Sequence, residues 1–282
     1  MSVRIVIDSA SDITQAEAKA LNVDVLPLKT IFGQEEYLDG VTMDHTAFYN
    51  KLIESDVMPT TSQLSPFDFE EAYRKALTQA DEVLCITVSS KLSGCYQSAN
   101  IAAEEFDGKV TVVDSQNVTI GQRILAQLAV SLRNEGKTAA QIADILNREK
   151  TRIRVLALVD TLEYLKKGGR VTSTAALAGT LLGIKPVIAL ENGEVAILGK
   201  ARGSKNGSNM LRELAGKSGI CFDRPFALAY SGLDDTMLRK YIADSASLYE
   251  GKAAHLPVYT IGSTIGTHAG PGAIAVAFFA EN

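Results

Sequence analysis

Short apolar runs rich in β-branched residues alternate along this chain with longer amphipathic segments. This alternation restricts the fold most strongly, because strands that alternate with helices are typical of α/β proteins with parallel sheets. Strands are predicted at residues 3–8, 23–32, 82–88, 109–114, 154–160, 185–190, 194–201, 226–231, 256–262 and 273–280. Helices are predicted at residues 14–21, 44–55, 66–77, 96–106, 120–136, 139–149, 162–169, 209–217 and 235–249.

Two local signals support these assignments. Ser65 is followed by Pro66 and Asp68, and a capping hydroxyl, a first-turn proline and an acid together predict a helix N-terminus. Asn192-Gly193 joins two apolar runs, and this dipeptide favours a tight β-hairpin. The first half of the chain therefore predicts parallel βα units, and the second half predicts an antiparallel pair.

The length of 282 residues corresponds to about two domains. We place the boundary near Asp160, which gives an N-terminal α/β domain over residues 1–160. A C-terminal α/β domain then covers residues 161–282.

The composition excludes several classes of protein. The net charge of −5 argues against a general nucleic-acid-binding protein, which needs a basic face. The three cysteines have no paired spacing, which predicts neither a disulfide framework nor a zinc site and fits a cytoplasmic protein. No apolar run reaches the roughly 20 residues of a membrane span, so no integral membrane segment is expected.

Hydroxyl groups and glycines follow most of the predicted strands. Residues 58–66, MPTTSQLSP, carry four hydroxyls between two prolines, and residues 89–94, SSKLSG, follow a buried strand. Helix capping explains single residues of this kind, since Ser and Thr are preferred N-caps. Capping explains a whole run less well, and ligands of open α/β sheets bind outside the carboxyl ends of the strands.

Two further segments add a histidine and an arginine. Residues 261–274 hold four glycines and His268, and we predict a glycine-rich loop that lets backbone approach a ligand closely. The alternative is a turn with an exposed histidine. Arg170 lies just beyond the Gly168-Gly169 helix stop and is not needed to end that helix.

Hydroxyls, one histidine and one arginine together supply donors for an anion such as a carboxylate. Nucleophilic catalysis has less support, because the chain has no G-x-S-x-G motif. The glycine-rich stretch lacks the Gly-Lys-Ser/Thr ending of a phosphate-binding loop. No spacing typical of metal ligands is present, and no cofactor is expected.

Seven segments resemble, in order and spacing, the motif series of the DegV family: DSASD, PTTSQLSP, SSKLSGCYQSA, VVDS, TLEYLKKGGRV, LLGIKPVI and GTHAGPGAI. The resemblance covers nearly the whole chain, from Asp8 to Gly272. It implies a parallel-sheet N-terminal domain and a smaller mixed α/β C-terminal domain, with a long-chain fatty acid between them. It also implies a binding subunit without its own catalytic centre, which presents the fatty-acid carboxyl group to an ATP-dependent fatty acid kinase for acyl-phosphate formation.

The same resemblance implies roles for individual residues. Thr61 and Ser93 look like the hydroxyls that hold the carboxylate, and Arg170 and His268 look like members of the surrounding polar network. Ser62 and the Gly94 amide are implied as secondary contacts. The chain departs from the usual family pattern at Ala10, Leu64, Cys95 and Ala269.

Three hypotheses follow. The first is a fatty-acid carrier that serves the kinase, the second a stand-alone hydrolase or phosphotransferase that uses Ser93 and His268, and the third a lipid-responsive regulatory module. Lys200, Arg202 and Lys205 are interpreted either as a solvated loop or as a docking patch for the kinase. Residues 175–184 are interpreted as a core helix or as part of the wall of an acyl tunnel.

Overall fold

The computed structural model describes residues 2–171, 183–249 and 255–281. The strands are β1 Val3–Asp8, β2 Val23–Leu26, β3 Lys29–Phe32, β4 Glu35–Leu38, β5 Thr60–Ser62, β6 Glu82–Thr87, β7 Val110–Asp114, β8 Ile153–Leu158, β9 Ile184–Glu191, β10 Glu194–Arg202, β11 Phe226–Tyr230, β12 Val258–Thr260 and β13 Ile274–Phe279. The helices are α1 Gln15–Leu21, α2 His45–Glu54, α3 Pro66–Ala76, α4 Cys95–Ala103, α5 Ile120–Asn134, α6 Ala139–Glu149, α7 Glu163–Lys167, α8 Gly203–Ser218, α9 Thr236–Asp244 and α10 Ser263–Ala269.

Three sheets organise the molecule. The first is fully parallel, with the strand order β2-β1-β6-β7. The second has six strands in the order β10-β9-β8-β13-β11-β12, and only β11 and β12 pair in parallel. The third is a small antiparallel sheet, β4-β3-β5. The predicted combination of a parallel-sheet unit and a mixed-sheet unit is confirmed.

Helix α5 joins the two large sheets. It packs against β1 and β6 on one side and against β8, β11 and β13 on the other. Eleven of its fifteen residues are buried, as expected for a helix that is covered all round. One hydrophobic core therefore runs from the parallel sheet through α5 to the six-stranded sheet. The outer faces of the two sheets are covered by α3 with α4 and by α8 with α9.

The local signals in the sequence are confirmed. Ser65 accepts a hydrogen bond from the Asp68 amide at 3.3 Å, and its own amide donates to the Asp68 carboxylate at 2.7 Å. Asn192 and Gly193 both have positive φ, 52° and 85°, in the turn between β9 and β10. The strand β8, which belongs to the six-stranded sheet, begins at Ile153. The division of the chain at residue 160 stays a prediction.

Three assignments of the sequence analysis are wrong. The predicted strand 23–32 divides into β2 and β3, which belong to different sheets. The segment Thr60–Ser62, for which no strand was predicted, is an edge strand that pairs with β3, where Thr61 lies opposite Thr30. The loop interpretation of residues 199–205 is also wrong, because β10 runs to Arg202 and α8 begins at Gly203.

The prediction for residues 175–184 falls almost entirely on residues 172–182, which lie outside the described residues. Within the described ranges, no helix is both long and apolar enough to cross a lipid bilayer.

Candidate functional site

A cavity lies between the carboxyl ends of the parallel strands and the inner face of the six-stranded sheet. The segments that follow β1, β6 and β7 contribute Ala10, Val88 and Val118. Strands β8, β9 and β13 contribute the opposite wall, and α7 and α10 close one end. The position agrees with the rule that ligands of open α/β sheets bind beyond the carboxyl ends of the strands.

The wall of this cavity is largely apolar. Of the 24 lining residues within the described ranges, eighteen are apolar, and the alanines Ala157, Ala273 and Ala275 leave room along the sheet. The six described polar lining residues are Thr61, Ser93, Thr119, Arg170, Thr264 and His268. A largely apolar ligand with a small polar group matches this distribution.

Four of the polar residues form a connected group, which we call the head cluster: Thr61, Ser93, Arg170 and His268. Thr61 Oγ1 and His268 Nε2 share a hydrogen bond of 2.9 Å. Arg170 Nε donates to the carbonyl of Leu92, next to Ser93, at 3.1 Å. Arg170 also lies close enough to His268 for its positive charge to act on the imidazole. The structure thus brings together residues that are up to 207 positions apart in the chain.

His268 is largely buried on α10, and the predicted loop over residues 261–274 is therefore wrong for Ser263–Ala269. Burial, assisted by the charge of Arg170, lowers the pKa of His268 from 6.5 to about 4. The imidazole is consequently neutral near pH 7, and its Nε2 can either donate to Thr61 or accept from it. The alternative of an exposed histidine in a turn is excluded.

The two secondary contacts are placed differently. Ser62 Oγ donates to the carbonyl of Gln63 at 3.2 Å, and neither Ser62 nor Gly94 lines the cavity. The side chain of Gln63 packs against Gly94. Both residues adjoin the head cluster in sequence, and their part in binding stays a prediction.

Ser93 and His268 do not form a nucleophile–base pair. Ser93 Oγ donates to Cys95 Sγ at 3.2 Å and accepts from the Cys95 amide at 3.3 Å, whereas His268 bonds Thr61. Activation of a serine requires a base within hydrogen-bonding distance. Among the described residues, no group of three or more His, Cys, Asp or Glu side chains could hold a metal ion.

Two buried carboxylates fix the helix that carries His268. Asp12 accepts a hydrogen bond from the Gly262 amide at 2.8 Å, and Asp39 accepts from the Ser263 amide at 2.9 Å and from its hydroxyl at 2.8 Å. Burial and the neighbouring charge of Asp39 raise the pKa of Asp12 from 3.8 to about 7. Acids at the first turn of α10 satisfy its free amides and favour its dipole.

Among the described polar lining residues, the sequence analysis missed two, Thr119 and Thr264. Thr119 precedes α5 and has φ 50° and ψ −132°, a backbone conformation that no sequence pattern predicts. Thr264 lies four residues before His268, the spacing that places two side chains on one face of a helix. Recognition of α10 as a helix would therefore have identified Thr264.

The sequence model described as "Uncharacterised protein, DegV family" matches residues 2–281. The chain belongs to the DegV family. A DegV domain-containing protein from Deinococcus radiodurans is 35% identical over 281 residues, which cover 98% of each chain.

Solved structures of the family have the same fold. A DegV family protein from Thermus thermophilus, described as binding fatty acid, is 35% identical with a TM-score of 0.87, covering 99% of this chain and 100% of its own. A stearic acid-binding protein from Eubacterium ventriosum is 26% identical with a TM-score of 0.86, covering 100% of this chain and 99% of its own. DegV structures similar to this chain thus include fatty-acid-binding proteins, and the family assignment from the sequence motifs is confirmed.

Proposed function

We propose that this protein binds one long-chain fatty acid in the cavity and presents its carboxyl group at the head cluster to an ATP-dependent kinase. The observation that carries the proposal is the polarity of the cavity lining, in which the four hydrogen-bonding residues of the head cluster adjoin a largely apolar wall. The fatty acids named for similar structures support the same ligand class.

The apolar wall and the head cluster contribute differently to the free energy of binding. A dozen buried methylenes contribute roughly 10 kcal/mol before the costs of binding are subtracted. Each hydrogen bond to a charged carboxylate contributes roughly 1.5–3 kcal/mol. Burial of the tail therefore sets most of the affinity, and the head cluster sets which end of the ligand lies at Arg170.

Binding rather than hydrolysis is the better account of the head cluster. Ser93 is hydrogen-bonded to Cys95, and His268 to Thr61. With its pKa lowered to about 4, His268 is a weak base near neutral pH. The proposed acyl phosphate would thus be made by the kinase partner, which would transfer a phosphoryl group from ATP to the carboxylate. Native mass spectrometry of the protein as purified tests the ligand class, and one fatty acid per chain is expected.

Thr61→Ala and Ser93→Ala are each expected to weaken binding of a fluorescent fatty acid roughly tenfold or more. Each change removes a hydrogen-bonding group from a buried carboxylate, at a cost of order 1–3 kcal/mol. Titration by fluorescence measures the affinity, and circular dichroism checks that the fold is intact. Thr60→Ala, on the exposed side of the same strand, is the matched control. Unchanged affinity in both variants would place the carboxylate elsewhere.

Arg202→Glu is expected to slow association with the kinase without changing fatty-acid affinity. Arg202 and Lys205 are exposed at the junction of β10 and α8, and rim charges act mainly on the association rate and its salt dependence. Surface plasmon resonance against the kinase, over a salt series, measures the effect, which should be largest at low salt. Arg239→Glu, on the exposed face of α9, is the control. Equal association rates for Arg202→Glu and wild type at low salt would contradict kinase docking at this junction.

A further inference from the structure

The cavity contains a hydroxyl group without a hydrogen-bond partner, that of Thr264. The residue is 6% exposed, and its Oγ1 is fully buried and unpaired among the described residues. A buried hydroxyl that makes no hydrogen bond is unfavourable and uncommon in folded proteins. Thr264 therefore calls for an explanation other than packing.

The usual arrangement of a threonine in a helix is seen one turn away. Thr267 Oγ1 donates to the carbonyl of Ser263, four residues earlier, at 2.9 Å. Thr264 makes no such bond and instead lines the cavity. Its hydroxyl is consequently left as a donor for whatever fills that part of the cavity.

Thr119 supplies a second hydroxyl to the same wall. Its Oγ1 donates to Asp12 Oδ2 at 2.5 Å, so its hydrogen is used while lone pairs on its oxygen remain. The other oxygen of Asp12 accepts from the Gly262 amide, which directly precedes α10. A single carboxylate thus links Thr119 to the first turn of the helix that carries Thr264.

The backbone of Thr119 indicates that this placement is specific. Its φ of 50° with ψ of −132° is unfavourable for a β-branched residue, and the residue is 5% exposed. Strain of this kind persists where the surrounding structure enforces it, commonly next to ligand sites. The hydrogen bond from its amide to the Ala10 carbonyl, at 2.7 Å, contributes to that enforcement.

Thr264 lies apart from the head cluster. It is four residues before His268, which corresponds to about 6 Å along the helix axis. A fatty acid whose carboxyl group binds Thr61 and His268 would therefore pass Thr264 several carbons along its chain. Ile261 and Ile265, which flank Thr264 in the chain and also line the cavity, are apolar.

We propose that Thr119 and Thr264 form a polar position within the acyl part of the cavity, and that the preferred ligand is a fatty acid with a hydroxyl group on its chain. Thr264 donates to the ligand hydroxyl, and the ligand hydroxyl donates to Thr119. The inference rests on the proposed function, because it requires the carboxyl group to bind at the head cluster.

The test compares hexadecanoic acid with three hexadecanoic acids that each carry one hydroxyl. In the first the hydroxyl is next to the carboxyl group, in the second it lies several carbons further along but still in the first half of the chain, and in the third it is near the methyl end. Isothermal titration calorimetry on delipidated protein measures each affinity. The acid with its hydroxyl several carbons along the chain should bind about tenfold more tightly than the other hydroxylated isomers, since one well-formed buried hydrogen bond contributes about that factor in affinity.

Thr264→Val, which keeps the shape and removes the hydroxyl, should abolish this preference, so that the three hydroxylated acids bind with similar affinity. Thr111→Val makes the same chemical change on β7, away from the cavity, and should leave every affinity as in wild type. If Thr264→Val and wild type rank the four acids identically, the inference is wrong while fatty-acid binding stands. If none of the four acids binds, the proposed function itself fails, and the inference fails with it.

Discussion

Gly168→Ala should weaken fatty-acid binding roughly a hundredfold, although the substitution adds a single carbon. A Cβ at this position would lie 2.1 Å from His268 Nδ1 and 2.8 Å from His268 Cε1. The backbone of Gly168 has φ −73°, which any residue adopts, so the effect comes from the contacts of the new Cβ. The imidazole contact is the closest, and a second, 3.1 Å to the Tyr164 carbonyl oxygen, is also tight. The largely buried ring must move, and overpacking of this kind costs about 1–3 kcal/mol.

The displacement should disturb two residues of the head cluster, His268 and Arg170. His268 would lose its hydrogen bond to Thr61, and Arg170 Nη1 would lose the Gly168 carbonyl to which it donates at 2.6 Å. Displacement of His268 and Arg170 weakens their contacts with the carboxylate, and at about 1.5 kcal/mol for each hydrogen bond to a charged group the loss is about 3 kcal/mol, or a hundredfold in affinity. Fluorescence titration with a fatty acid measures the change.

A double-mutant cycle separates this contact from a general loss of stability. His268→Ala removes the ring that the new Cβ would meet, so Gly168→Ala should cost little in that background. Gly216→Ala in α8 is the control, because its Cβ would meet only Leu248 at an ordinary 3.5 Å. Equal losses with and without His268 would show that the ring is not the cause.

Periodicity and turn chemistry predict most of the fold. The parallel strands β1, β6 and β7 are buried apolar runs, and the Asn192-Gly193 hairpin carries its own turn signal. Strands β2 and β3 were predicted as one, because the apolar pattern continues through Pro27 although the chain changes sheets. Which sheet a strand joins depends on contacts distant in sequence, and local patterns do not contain them.

Prediction of the candidate site from local sequence patterns is limited in the same way. The hydroxyl-rich stretch after β6 identified the region of Ser93, because strand ends converge in an open α/β sheet. The four hydroxyls of residues 58–66 identified the region of Thr61. Helix α10 was missed, because Gly262, Gly266 and Gly270 in a short segment favour a loop on intrinsic propensity. Tertiary contacts override that propensity, since Asp12 and Asp39 bind the first turn of α10 from more than 220 residues away.

Those carboxylates explain how a weak helix can hold His268 in place. Asp39 receives three hydrogen bonds, from Ser9 and from the amide and hydroxyl of Ser263. Asp12 connects the same helix to Thr119 on the cavity wall. The N-terminal motif that contains Ser9 and Asp12 thus supports the head cluster without lying in it, and this role leads to a prediction about stability.

As the pH rises from about 4 to about 7, the wild-type protein should lose free energy of unfolding through Asp12. The Asp12→Asn substitution should remove that loss. Burial, with the charge of Asp39, raises the pKa of Asp12 from 3.8 to about 7 in the folded state. The unfolded chain therefore releases this proton near pH 4, while the folded chain retains it until about pH 7. Stability from this group is complete below pH 4 and is lost as the pH rises through 7, by roughly 4 kcal/mol for a shift of about three pKa units.

Asparagine does not titrate, and it can still accept from the Gly262 amide and donate to Thr119 Oγ1. Urea denaturation at several pH values measures the free energy of unfolding, and the quantity of interest is the difference between variant and wild type. The pKa of Asp8, raised to about 6 by burial, affects both proteins equally and cancels in that difference. Asp223→Asn makes the same change at an exposed position and is the matched control. If the difference for Asp12→Asn is also constant from pH 4 to pH 8, Asp12 is ionised throughout that range, and the two carboxylates bind α10 as a pair of negative charges.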